Sequence, residues 1–134
     1  MPGDSILVVD DNAFNATLAS MVLSSAGYVL RTANGAGEVG AILDQYRPRL
    51  ILMDLQMPDV DGYELTRRIK QDPRTRHIIV IAFTSMPAEE CVQMAKAAGC
   101  DGYIAKTFDL QELSYQVEKY LQAGSAAGSG ELPR

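Results

Sequence analysis

Asp10 and Asp11 stand side by side after one apolar run, Asp54 follows a second, Thr84 ends a third, and Lys106 follows a fourth. Three carboxylates, a hydroxyl and an ammonium, if brought together, form a set able to manage phosphoryl chemistry. Carboxylates gathered within a few ångströms repel one another, and some would protonate unless a cation intervened. A hard divalent ion resolves the conflict. Mg2+ suits a site with few carboxylates, several waters and a phosphate, and Mn2+ is the alternative ion with similar ligand preferences. With three Asp, one Lys and one divalent ion the formal charge is about zero, and an acyl phosphate on Asp54, at roughly −2 in place of −1, makes it about −1. The metal and Lys106 make that addition tolerable and neutralise charge spreading over the phosphoryl oxygens during transfer. An aspartate nucleophile giving an acyl phosphate is known covalent chemistry. Thr84 can donate a hydrogen bond to an oxygen that is present only after transfer, which makes it a detector.

The elements that would bring these residues together are legible as alternating patterns. Ile6–Val9, Leu50–Met53, Ile78–Phe83 and Tyr103–Ala105 read as strands, the first three continuous enough to be buried on both faces of a parallel sheet. Tyr28–Thr32 is more mixed and reads as an edge strand. Phe14, Leu18, Met21, Val22 and Ser25 follow helical spacing up to a cap at Gly27, and Val39, Ile42, Leu43 and Tyr46 do so up to Pro48. Tyr63, Leu65 and Ile69 mark a third helix. Pro87 opens a fourth, which passes through Cys91, Met94, Ala95 and Ala98 to Gly99. Asp109 as N-cap and Glu112 three residues on open the fifth, with Leu113, Val117 and Leu121 along one face. Strand and helix thus alternate five times, which predicts an α/β fold: a flavodoxin-like, doubly wound (βα)5 parallel sheet in the order 2-1-3-4-5. Ligands of such sheets bind outside the carboxyl ends of the strands, where Asp10, Asp11, Asp54, Thr84 and Lys106 all fall. Residues 1–122 form one domain on this reading, and 123–134, AGSAAGSGELPR, form a flexible tail.

The 134 residues fit a single domain, with 47% hydrophobic and 22% charged residues. Twelve Lys plus Arg against 17 Asp plus Glu leave a net charge of −5. That acidity argues against a nucleic-acid or anionic-membrane binder. No apolar run approaches the roughly 20 residues that span a bilayer, and MPGDS lacks the layout of a signal peptide, so a cytoplasmic location is expected. Two cysteines, Cys91 and Cys100, and one histidine, His77, make neither a disulfide scaffold nor a His-pair metal site.

The ordered set of segments resembles the receiver domain of two-component response regulators, the chemotaxis-regulator-like superfamily. The matching pieces are ILVVDDN with Asp10 and Asp11, ILMDLQMPDVDG with Asp54, Met57, Pro58, Asp61 and Gly62, IAFTS with Thr84, and GYIAK with Tyr103 and Lys106. The resemblance spans residues 4–122. It implies that Asp54 is the phosphoacceptor and that Mg2+ is held by Asp10, Asp11, Asp54 and the backbone carbonyl of Gln56. It implies that Lys106 pairs with the phosphoryl group, that Thr84 moves toward it, and that Tyr103 turns inward into the space Thr84 leaves. The implied partners are a histidine kinase or histidine phosphotransfer protein, docking at the first helix, and a downstream protein read by helix 4, strand 5 and helix 5. The chain would act as a monomer or weak homodimer, contacting neither nucleic acid nor membrane, and would be a switch that catalyses only its own phosphorylation and dephosphorylation. One departure stands out. The family has Lys–Pro with a cis peptide after strand 5, whereas this chain has Lys106–Thr107, where a cis bond costs about 2.5–4 kcal/mol.

Each residue also has a plainer reading. Asp10–Asp11 alone suits a helix N-terminus, Asp54 a turn before Pro58, Thr84 an N-cap, Lys106 a solvated charge and Tyr103 a packing residue. Arg67, Arg68, Lys70, Arg74 and Arg76 read as a solvated helix end interrupted by Glu64 and Asp72, and His77 as an exposed strand-entry residue. Among other functions, a haloacid-dehalogenase-like phosphatase would need an acid two residues after its nucleophile, where this chain has Gln56. A flavodoxin-like electron carrier would need a hydroxyl- and Gly-rich phosphate loop where Asp10–Asp11 stand. A receiver-like interaction module that accepts no phosphate is a further reading. The segment after the fifth helix carries no output domain, so the chain reads as a stand-alone regulator or as a receiver from a larger hybrid kinase or regulator.

Overall fold

The computed structural model describes residues 4–55, 62–84, 88–106 and 110–126. Five strands and five helices alternate: β1 Ser5–Val9, α1 Ala13–Ser25, β2 Val29–Ala33, α2 Ala36–Gln45, β3 Leu50–Met53, α3 Gly62–Gln71, β4 Ile79–Thr84, α4 Ala88–Ala98, β5 Gly102–Ala105 and α5 Leu110–Ala126. All pairings are parallel and the sheet order is β2-β1-β3-β4-β5, as the alternation predicts. Pro87, the Asp109 cap, Gln56, Met57, Pro58, Asp61 and Thr107 lie outside the described residues.

Side chains alternate across the central strands, and each half of the alternation finds its own helices. Leu7, Val9, Ile51, Met53, Val80 and Ala82 pack against Val39 and Leu43 of α2, Leu65 and Ile69 of α3, and Ala95 and Ala98 of α4. Ile6, Val8, Leu50, Leu52, Ile79 and Ile81 pack against Ala16, Ala19 and Leu23 of α1 and Leu113, Val117 and Leu121 of α5. Each fully buried Val, Leu or Ile adds about 1.5–3 kcal/mol over an exposed one. Right-handed crossovers explain the division. The chain steps one way from β1 to β2 and the other way from β2 to β5, so α1 lies on one face and α2–α4 on the other. At the carboxyl ends of the adjacent strands β1 and β3 the chain therefore departs in opposite directions, and a crevice opens between them.

Local chemistry sets the element ends. Asn12 caps α1, its side chain accepting from Asn15 N–H at 3.1 Å, an interaction worth about 1 kcal/mol. Gly27 and Gly99, at φ 100° and 102°, take the left-handed conformation after α1 and α4 that other residues resist.

Three expectations are corrected. In α1, Phe14 and Met21 are 67% and 62% exposed, and Ala16, Ala19 and Leu23 face the sheet instead. The helix carries no charged residue, so its polarity pattern could not select a face; the small alanines allow close approach. Lys70 is not a solvated charge: its Nζ lies 2.6 Å from Asp101 and donates to the carbonyls of Ile78 at 2.7 Å and Arg76 at 3.2 Å. The last helix continues to Ala126, beyond the point where the Gly- and Ser-rich sequence loses its periodicity. Elsewhere in the basic stretch, Arg67 and Arg68 share Glu64, and Arg74 binds Asp72, holding that carboxyl below its usual range.

Candidate functional site

Backbone hydrogen bonds continue one residue past the strands and hold the candidate residues at one edge. Asp10 N–H donates to Ala33 O at 3.0 Å, Asp54 N–H to Val9 O at 2.9 Å, and Lys106 N–H to Thr84 O at 2.9 Å. β1, β3, β4 and β5 thus deliver Asp10 and Asp11, Asp54, Thr84 and Lys106 to the same end of the sheet.

The three aspartates place one oxygen each within 4.8 Å of the others. Asp11 is exposed, whereas Asp10 is fully buried and Asp54 is 5% exposed. Asp10 Oδ1 accepts from Asn12 N–H at 2.9 Å, a tight turn that aims the side chain back over the strand end. Lys106 Nζ stands 2.8 Å from Asp10 Oδ2 and 3.6 Å from Asp54 Oδ2. It also lies 5.7 Å from the centre of the Phe83 ring, whose face favours a cation. Asp10 Oδ2 is buried, with the Lys106 ammonium against it. One ammonium against three carboxylates leaves a formal excess of about two negative charges, which costs free energy where the groups are buried together. Together these oxygens fit a hard divalent cation that takes oxygen ligands.

Thr84 closes β4 with its side chain buried. Tyr103, opposite Ala82 on β5, is half-buried against the cluster shared with α2, α3 and α4. Gln56, the fourth expected metal ligand, lies outside the described residues, as does the peptide geometry at Thr107. Cys100 is a packing residue, its Sγ 3.9 Å from Thr66 Oγ1. His77 is exposed in the turn before β4.

Sequence reasoning gave no role to Gly62, Phe83 or Tyr120. Gly62 begins α3 directly against the acceptor strand, and its N–H donates to Leu55 O at 3.1 Å. A Cβ there would overlap the Asp54 carbonyl oxygen and stand 2.6 Å from Leu55 Cα, so only glycine lets α3 start beneath Asp54. The sequence signal was a glycine at the start of a helical pattern. Phe83 gave no signal beyond adjacency to Thr84.

Comparison with known proteins agrees with this geometry. The family model of the response regulator receiver domain matches residues 6–118. The polar-differentiation response regulator DivK of Brucella anthropi is 36% identical over 118 residues, covering 87% of this chain and 95% of DivK. The crystal structure of a putative response regulator from Chloroflexus aurantiacus superposes with a TM-score of 0.84 at 31% identity, covering 90% of this chain and 98% of that one. The receiver domain of the sensor histidine kinase PA1611 from Pseudomonas aeruginosa, solved with a magnesium ion in its active site cleft, superposes with a TM-score of 0.80 at 30% identity. It covers 90% of this chain and 98% of its own.

Proposed function

This chain belongs to the family of response regulator receiver domains of two-component systems, and we propose that it is switched by phosphoryl transfer from a partner histidine to Asp54. The observation that carries the reading is the meeting of Asp10, Asp11 and Asp54 with Lys106 poised between two of them. In the transfer, an Asp54 carboxylate oxygen attacks phosphorus as the P–N bond to the imidazole breaks, and the leaving nitrogen keeps the bonding pair. Asp54 gains one phosphoryl group, the histidine loses it, and no oxidant or reductant takes part. Lys106, already 3.6 Å from Asp54 Oδ2, pairs with the incoming oxygens. Thr84 donates its hydroxyl hydrogen bond to a phosphoryl oxygen, and Tyr103 turns inward behind it. Asp10, Asp11, Asp54 and the Gln56 carbonyl would hold Mg2+, which supplies positive charge to the phosphoryl oxygens when bound.

Two surfaces extend the proposal. The uncharged outer side of α1, with Phe14 and Met21 exposed, serves as the docking face for a histidine kinase or phosphotransfer protein. The α4–β5–α5 face carries the output to a downstream protein in the cytoplasm, with the chain acting as a monomer or weak homodimer.

Incubation with Mg2+ and acetyl phosphate should add one phosphate, read by intact mass. Asp54→Asn should stay unlabelled, and EDTA should block labelling of the wild type. A phosphate retained on the variant, or labelling indifferent to chelation, would remove the basis of the proposal.

A further inference from the structure

Among the described residues β5 is the last strand of the sheet, bonded to β4 on one side and to no strand on the other. In a parallel strand the N–H and C=O of one residue point to the same side, and those of the next residue to the opposite side. Lys106 N–H points inward, to Thr84 O. Counting back by twos, Ile104 and Gly102 also face inward, so Tyr103 between them turns its backbone groups outward, to the open edge.

Tyr120 of α5 meets both of them. Its hydroxyl accepts from Tyr103 N–H at 3.3 Å and donates to Tyr103 C=O at 3.2 Å. The ring has room because residue 102 is glycine: a Cβ there would overlap the ring and stand 2.8 Å from the hydroxyl. Tyr120 packs with the α1 and α5 cluster, whereas the Tyr103 side chain packs on the opposite face of the sheet. The phenol therefore reaches around the edge from one face and grips the backbone of a residue whose side chain lies on the other. It satisfies two strand-edge groups that would otherwise turn to water or to another strand.

We propose that Tyr120 is a positioning residue of the switch: its hydroxyl pins the backbone of Tyr103 at the open edge of β5. This rests on the roles given above to Tyr103 and Lys106. The grip is on main-chain atoms alone, so Tyr103 can turn about χ1 on a fixed pivot. It also sets the path of the strand into Lys106, three residues on, whose Nζ stands among the carboxylates.

The test uses the whole chain and Tyr120→Phe, which keeps the ring over Gly102 and removes both hydrogen bonds. In hydrogen exchange followed by NMR, the Tyr103 amide should exchange at least about tenfold faster than in the wild type, while the core amides of Leu52 and Ile81 keep their rates. On adding Mg2+ and beryllofluoride, a stable stand-in for the phosphoryl group, the Tyr103 ring resonances should shift by about half the wild-type change or less. Gly102→Ala, which displaces the ring and leaves the hydroxyl present, should produce the same two effects. An unchanged Tyr103 exchange rate in both variants, or a full ring response in both, overturns the assignment. A wild-type ring that ignores beryllofluoride sinks the switch reading itself, and the exchange rates then still decide whether Tyr120 pins the strand.

Discussion

In the proposed phosphoryl transfer, Thr84 and Lys106 divide the work at the site by what each can sense. Lys106 is engaged before any phosphate arrives, because Asp10 and Asp54 already draw its ammonium. Thr84 is a buried hydroxyl at a strand end, and in the proposed switch it donates to a phosphoryl oxygen that transfer brings. Thr84→Ala should therefore still take phosphate on Asp54, at a rate within about threefold of wild type, since a neutral hydrogen bond contributes only about 0.5–1.5 kcal/mol. The Tyr103 ring response to beryllofluoride should fall by more than half. A normal ring response in the variant would show that Thr84 detects nothing. The acidic trio, Thr84 and Lys106 were all legible because strand ends of a wound sheet share one edge. Tyr120 was not: nothing in its helical pattern says that a hydroxyl reaches around β5, and only the space over Gly102 reveals it.

At the scale of elements, an ion pair at the opposite end of the sheet links three of them. Lys70, near the end of α3, joins Asp101 at 2.6 Å, and Asp101 in turn accepts from Val80 N–H at 2.9 Å at the start of β4. With two carbonyl contacts added, this pair ties α3, β4 and the turn into β5 together. Both side chains are largely shielded, at 18% and 14% exposure, so removal of one leaves the other without its counter-charge. Partial solvent access reduces the loss below that of a fully buried pair. Lys70→Met should lower stability by about 2 kcal/mol in urea denaturation, with phosphate labelling of the folded protein retained. A change below about 0.5 kcal/mol would mean that water replaces the bridge at little cost. This pair escaped the sequence reading because Lys70 sits amid Arg67, Arg68, Arg74 and Arg76, and a run of cations reads as a wet surface. The α1 face was misread for the complementary reason: in AFNATLASMVLSS no charge marks the outside.

For the whole molecule, the proposed ion site in the acidic crevice should couple ion binding to folding. Three carboxylates served by one ammonium repel each other in the folded chain and separate when it unfolds. A divalent ion bound only by the folded state should stabilise it by about 1.4 kcal/mol at ten times its dissociation constant. That corresponds to a rise in Tm of roughly 3–6 °C for a domain of this size. Thermal melts in Mg2+ and in EDTA should differ by this amount, and Asp11→Asn should abolish most of the difference. Equal Mg2+ stabilisation in the variant would place the ion elsewhere. No helix among the described residues is long and apolar enough to cross a membrane, and the two apolar clusters are both internal to the sheet and its helices.

Sequence alone determined the order of elements, the strand order and the edge at which the carboxylates, hydroxyl and ammonium gather. Those follow from periodicity, from glycine and proline punctuation, and from the handedness of crossovers, all of which act over a few residues or obey one general rule. Only the tertiary structure decided which side of α1 is buried, that Lys70 is locked to Asp101, that Gly62 must be bare beneath Asp54, and that Tyr120 grips β5. Each of these depends on distances between segments far apart in the chain, set by close packing that no local pattern encodes.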